Sequence, residues 1–127
     1  MLRILIADSS LTARKTLASV LENASCEVVG EANTAAHCLS LAAALNPQII
    51  CVDPTFSDRS DAGLLAELHA QQPKAVILVL SGGMDEAMVK TALASGVAGF
   101  IVKPYSADKV LTALRAAVLK VVKQART

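Results

Sequence analysis

Short apolar runs alternate with longer stretches whose apolar residues recur at helical spacing. Arg3-Ile4-Leu5-Ile6-Ala7, Ile49-Ile50-Cys51-Val52, Ala75-Val76-Ile77-Leu78-Val79-Leu80 and Phe100-Ile101-Val102 are rich in β-branched and aliphatic residues and do not alternate with polar ones. Runs of this kind, bounded by breakers such as Pro47 and Pro54, predict strands buried on both faces. A fifth, weaker run, Cys26 to Ala32 (CEVVGEA), predicts a further strand. Between the runs, Ser10 to Ala24 places Leu17, Val20, Leu21 and Ala24 on one face, with Ser10 as N-cap. Thr34 to Leu45 has Ala35, Cys38, Leu39, Ala42 and Leu45 on one stripe and is stopped by Asn46-Pro47. Leu64, Leu65 and Leu68 mark a helix over Ser60 to Gln72, and Met88, Val89, Ala92 and Leu93 mark one over Asp85 to Ser95, closed by Gly96. A last helix runs from a Ser106 cap to about Gln124. The order β-α, five times repeated, predicts a parallel sheet with helices on both faces, an α/β fold in a single domain over 1–127.

The strand ends carry the candidate chemistry. The first run ends in Asp8-Ser9-Ser10, the third in Asp53, the fourth in Ser81 and the fifth in Lys103-Pro104. If the strands are parallel, these ends converge on one rim, where open α/β sheets place their sites. By itself a strand-ending aspartate is equally well explained as a cap for the next turn. Two acids and a lysine at one buried edge are harder to explain as packing, because charges there are costly unless paired. Asp53 is therefore the leading site residue.

Composition narrows the function classes. The core must be aliphatic, since 54% of the 127 residues are hydrophobic and only 2% aromatic. A net charge of +1 gives no electrostatic case for nucleic acid or an anionic membrane. Cys26, Cys38 and Cys51 have no Cys-x-x-Cys or Cys/His spacing and read as reduced, packed thiols of a cytoplasmic protein. No stretch approaches the length of a membrane span, and His37 and His69 lack any spacing that suggests catalysis.

Taken together, ILIADSSLTARKTL, VVGEA, Asp53, VILVLSGG and GFIVKPYSADKVLTAL at these spacings resemble the receiver domain of bacterial two-component response regulators, the stand-alone chemotaxis type included. The resemblance covers Arg3 to about Val122. It implies a flavodoxin-like sheet of order 2-1-3-4-5 and a sensor histidine kinase or phosphotransfer protein as phosphoryl donor. Asp53 matches the phosphoryl acceptor, a carboxylate nucleophile that forms a mixed anhydride. Lys103 matches the lysine that pairs first with the acceptor and then with phosphoryl oxygens, and Pro104 follows it, as in the family, where that bond is cis. Ser81 matches the hydroxyl that bonds a phosphoryl oxygen, and Phe100 the aromatic switch residue. Mg²⁺ is the implied cofactor, held by Asp8, Asp53, the Thr55 carbonyl and whatever stands at position 9. The family also implies a partner or dimer face made by the 85–95 helix, the 99–103 strand and the 107–124 helix. There Val110, Leu114, Ala117 and Val118 form the inward stripe of the last helix, and Leu111, Leu119 and Val122 lie beside it.

Two departures matter. Where the family has an adjacent acidic pair, this chain has Asp8-Ser9, and a serine replaces the oxygen of the missing ligand without its charge. A unit-charge pair at about 4 Å is worth roughly 4 kcal/mol at an effective dielectric near 20, before desolvation offsets much of it. Weak Mg²⁺ binding is expected, unless Asp58 supplies a substitute carboxylate. The second departure is the loop after the acceptor. The usual Asp-x-x-Met-Pro-x-x-Asp-Gly is here Asp53-Pro54-Thr55-Phe56-Ser57-Asp58-Arg59-Ser60-Asp61, and Pro54 removes an N–H. These departures keep open a phosphorylation-independent module of the same fold. An electron-transfer flavoprotein shares the topology but is disfavoured. The first loop has no glycine to cradle a phosphate, and Tyr105 and Phe100 are too few aromatics to enclose a flavin.

Overall fold

The structure, a computed structural model, describes residues 1–83 and 85–125. Five strands, β1 (Arg3–Ala7), β2 (Glu27–Ala32), β3 (Ile49–Val52), β4 (Val76–Ser81) and β5 (Gly99–Val102), form one parallel sheet of order β2-β1-β3-β4-β5. Between and after them come α1 (Leu11–Asn23), α2 (Ala35–Leu45), α3 (Asp61–Gln71), α4 (Glu86–Ala94) and α5 (Ala107–Ala125). This is the flavodoxin-like architecture expected from the β-α repeat. Element ends differ from the sequence reading by about one residue, most visibly at β4, which begins at Val76 and takes in Ser81.

Strand alternation divides the interior into two layers. Leu5, Ala7, Ile50, Val52, Ile77 and Val79 face one way, toward α2, α3 and α4. Ile4, Ile6, Ile49, Cys51, Leu78 and Ile101 face the other way, toward α1 and α5. Both faces are covered, which is why the central strands read as unbroken apolar runs. The weakness of the β2 signal has the matching cause: β2 is an edge strand, mostly half-exposed, and its register against β1 slips between Ile4 and Leu5.

The helices begin and end where the side chains dictate. Ser10, Thr34, Ser60 and Asp85 each sit in extended backbone and accept an N–H three residues on. Gly96 follows α4 with φ +98°, a conformation other residues rarely adopt. Phe56 takes the place where the family pattern has methionine, and it is buried in the α2/α3 layer. The inward stripe of α5 is Val110, Leu114 and Ala117. Leu111, expected beside that stripe as part of an outer face, is instead half-buried against the α1/α5 layer, whereas Leu119 and Val122 are exposed.

Candidate functional site

Three charged side chains meet at the carboxyl rim because the sheet's hydrogen bonds continue one residue past each strand. The Asp53 N–H donates to the Ala7 carbonyl, that of Asp8 to Ala32, and that of Lys103 to Ser81, at 2.9, 3.0 and 2.7 Å. Asp8, Asp53 and Lys103 also share the alternation of Ile6, Cys51 and Ile101, so all three project to the α1/α5 side of the rim. Lys103 Nζ lies 2.7 Å from Asp53 Oδ2 and 2.7 Å from Asp8 Oδ2. One cation is thus shared by two carboxylates and offsets one of their two charges, which helps a fully buried Asp8 exist at this edge.

Asp53 Oδ1 accepts from the Thr55 N–H at 3.1 Å and from the Thr55 hydroxyl at 2.5 Å. Asp8 Oδ1 accepts from the Ser10 N–H at 2.9 Å, and Asp8 Oδ2 is buried with no hydrogen-bond partner beyond its ion pair with Lys103. Burial pushes the Asp53 carboxyl up, but the Lys103 bond, the two Thr55 bonds and the lysine's charge outweigh it, and the group sits below its ordinary range. For Lys103 the same balance runs the other way. Burial alone would lower its value, yet the bonds to Asp53 and Asp8 hold the ammonium above it. At neutral pH both partners are charged, so Asp53 presents an ionised carboxylate oxygen at the rim.

Ser81 stands apart. As the last residue of β4 it has the alternation of Ile77 and Val79, toward α4 rather than toward the acids. Its hydroxyl bonds Gly83 and lies 3.9 Å from Met88 Sδ, so the structure does not bring it to Asp53. Phe100 is half-buried in β5 against the α2/α3/α4 layer. The Lys103–Pro104 bond is cis. Ser9 is exposed in the turn before α1.

Asp58, the carboxylate left open as a substitute for the missing acid, is engaged elsewhere. Its Oδ1 and Oδ2 accept the N–H groups of Ala35 and Ala36, each at 3.0 Å, which ties the β3–α3 loop to the start of α2. Those two bonds lower its value from the ordinary one. The carboxylate is committed to the helix N-terminus, where the dipole favours it.

The oxygen donors that the family resemblance points to for a cation are Asp8, Asp53 and the Thr55 carbonyl. The set consists of hard oxygens, and the buried Asp8 Oδ2 offers an acceptor without a hydrogen bond. In kind this suits Mg²⁺, which binds through one or two carboxylates and keeps waters. In charge it is one unit short, and among the described residues no group of three or more His, Cys, Asp or Glu side chains is arranged to hold a metal.

Several site features escaped the sequence reading. Arg14 Nη1 donates to the Asp8 carbonyl at 2.7 Å while its Nε pairs with Glu31 at 3.1 Å, so the first helical turn clamps the Asp8 backbone. The available signal was spacing, since Arg14 lies four residues after the Ser10 cap. Tyr105 places a buried hydroxyl without a partner near both acids; burial and those charges raise its value. The Thr55 hydroxyl had no signal beyond its closeness to Asp53.

This geometry agrees with the comparisons. The family model for the response regulator receiver domain matches residues 4–115. The chemotaxis protein CheY of Listeria monocytogenes is 32% identical over 117 residues, covering 92% of this chain and 98% of the relative. Its Bacillus subtilis counterpart is 31% identical over 112 residues, covering 88% and 93%. Among solved structures, the signal receiver domain of the putative response regulator NarL from Mycobacterium tuberculosis superposes with a TM-score of 0.84 at 27% identity, covering 92% and 96%. The chain belongs to the response regulator receiver family, and it is a signalling module of two-component systems rather than a conventional enzyme. No described helix is long and apolar enough to cross a membrane.

Proposed function

We propose that Asp53 accepts a phosphoryl group from a sensor histidine kinase or phosphotransfer protein and that the modification biases a protein-binding face. The single observation that carries this reading is the Asp53–Lys103–Asp8 cluster at the carboxyl rim, with Nζ 2.7 Å from each acid. An Asp53 oxygen attacks the phosphorus of a phosphoimidazole; the new O–P bond forms as the N–P bond breaks, and the imidazole leaves. Lys103 then follows the charge from the carboxylate to a phosphoryl oxygen. Mg²⁺, when bound through Asp8, Asp53 and the Thr55 carbonyl, would neutralise the remaining charge of the incoming group. For Ser81 to bond the phosphoryl group, its hydroxyl must leave Gly83 and turn toward Asp53, and that movement would free the space beside Met88. Such a switch shifts populations only by the differential stability of the two forms.

The test is mass spectrometry after incubation with acetyl phosphate and Mg²⁺. One added phosphoryl group on Asp53, absent from Asp53→Asn, is expected; label persisting on that variant defeats the assignment. The second reading, an interaction module that signals without phosphorylation, is favoured by Ser9 and by the commitment of Asp58 to α2. Ser9→Asp separates the two. It is expected to tighten Mg²⁺ by about tenfold or more in calorimetry, given the roughly 4 kcal/mol of unscreened attraction per added charge. Equal affinities in the two proteins would mean that position 9 does not face the metal.

A further inference from the structure

At the opposite rim of the sheet, where the strands begin, lies a basic cleft of about 370 Å³ unrelated to the Asp53 cluster. Its floor is apolar: Ile77 and Val76 of β4, with Val97 and Ala98 before β5. Its walls carry His69 from α3 and Lys120 and Lys123 from α5. Lys74, between Pro73 and Ala75, lines a neighbouring cleft rather than this one. No carboxylate lines the cleft among the described residues, and neither Lys120 nor Lys123 forms an ion pair with a described residue. Asp8, Asp53, Asp61, Asp85 and Asp108 belong to the other rim, and Glu22 and Glu27, at the end of α1 and the start of β2, lie at the far β2 edge of this one. Glu67, the nearest acid in sequence to His69, is paired with Arg59.

Two features hold the basic groups in place. Gly96 has φ +98°, and a Cβ there would come within 2.5 Å of the His69 ring. The ring therefore rests directly on the glycine, touching it through Cγ, Cδ2 and Nδ1, and Nε2 is the nitrogen farther from it. Lys120 Nζ donates to the Ala98 carbonyl at 3.3 Å, which holds its ammonium at the cleft wall.

We propose that this cleft binds a small anion of the phosphate class carrying at least two negative charges. Lysine ammonium groups take phosphate as point charges from several directions, which suits a cluster with no rigid fork. The volume lies at the low end for small-ligand pockets, enough for a pyrophosphate or a mononucleotide. Like charges crowded over an apolar floor repel until a counterion arrives, so a ligand with concentrated charge gains more here than a single carboxylate.

The experiment titrates pyrophosphate into the full chain and follows backbone amides by NMR. Saturable shifts centred on Gly96, Val97 and Ala98 are expected, falling off as salt rises. Lys120→Ala with Lys123→Ala is expected to weaken binding by about tenfold or more, and His69→Ala to weaken it less. Both variants are expected to keep the wild-type labelling at Asp53, so failure of this site is distinguishable from failure of the phosphoryl acceptor. If the double variant proves misfolded, His69→Ala alone decides. The proposal is overturned by shifts that grow linearly without saturating or that centre on Asp8 and Lys103. Undiminished binding in the folded variants, or tighter binding of hexaglutamate than of pyrophosphate, overturns it equally.

Discussion

Lys103→Ala is expected to slow the labelling of Asp53 by acetyl phosphate by on the order of 10²-fold, the usual effect of removing one preorganised charge from a developing anion. The same variant should invert the acid response of stability. In the wild type, Asp53 is held below its unfolded value of 3.8, so its contribution is complete above that pH and is lost as pH falls through the lowered folded value. Lys103 is held above 10.5, so its contribution is complete below that pH and is lost as pH rises through the raised folded value. Across neutral pH the pair adds a constant amount.

Without the ammonium, Asp53 keeps its burial and its Thr55 bonds but faces buried Asp8 unscreened. With the Lys103 bond gone, burial beside the charged Asp8 is expected to push the Asp53 carboxyl up instead of down. The folded variant takes up protons more readily than the unfolded chain, so it gains stability as pH falls from 7 to 5. Its deficit against wild type in urea unfolding should be smaller at pH 5 than at pH 7. An equal deficit at both values would show that the lysine does not hold the two acids together.

The fold was legible because its physics is local and repetitive. Parallel strands covered on both faces must be continuous apolar runs, and the caps at Ser10, Thr34, Ser60 and Asp85 are short polar side chains directly before the helical periods. Asp53, Asp8 and Lys103 were legible for the same reason, as the first residues past three strands whose registers align. Side-chain direction within loops was not. Asp58 could point to the metal side or to α2, and its bonds to Ala35 and Ala36 depend on a helix more than twenty residues away in sequence. Ser81 has the right position and the right hydroxyl, but alternation along β4 turns it toward Met88. Periodicity placed Leu111 at the flank of the α5 stripe, and only the wide contact of α5 with β4, β5 and α1 makes that flank part of the core.

That last difference changes which residues test the output face. Leu119 is 73% exposed and Val122 45% exposed on α5, while Leu111 is needed for packing. Another side of α5 packs along β5, one of the two edge strands of the sheet. A groove of about 610 Å³ runs along β5, lined by Phe100, Val102, Thr112, Ala113 and the oppositely charged Asp108 and Lys109. An edge strand and exposed apolar side chains on the adjacent helix are features that favour a partner. Mixed charge at the groove's lip allows two copies to pair about a two-fold axis without repulsion. Fully burying a leucine or valine side chain is worth about 1.5–3 kcal/mol. With their observed exposures these two could supply about 2–3 kcal/mol together, on the order of 100-fold in affinity. Leu119→Glu combined with Val122→Glu is expected to abolish self-association in sedimentation velocity, whether or not Asp53 is phosphorylated. Labelling and the unfolding midpoint should stay at wild-type values, since neither side chain belongs to the buried stripe of Val110, Leu114 and Ala117. Phosphorylated wild type should associate more tightly than the unmodified protein, because Phe100 lies both in the groove and against the layer that includes α4, which Ser81 touches through Met88. A double variant that sediments like phosphorylated wild type would remove this face from the signalling reading.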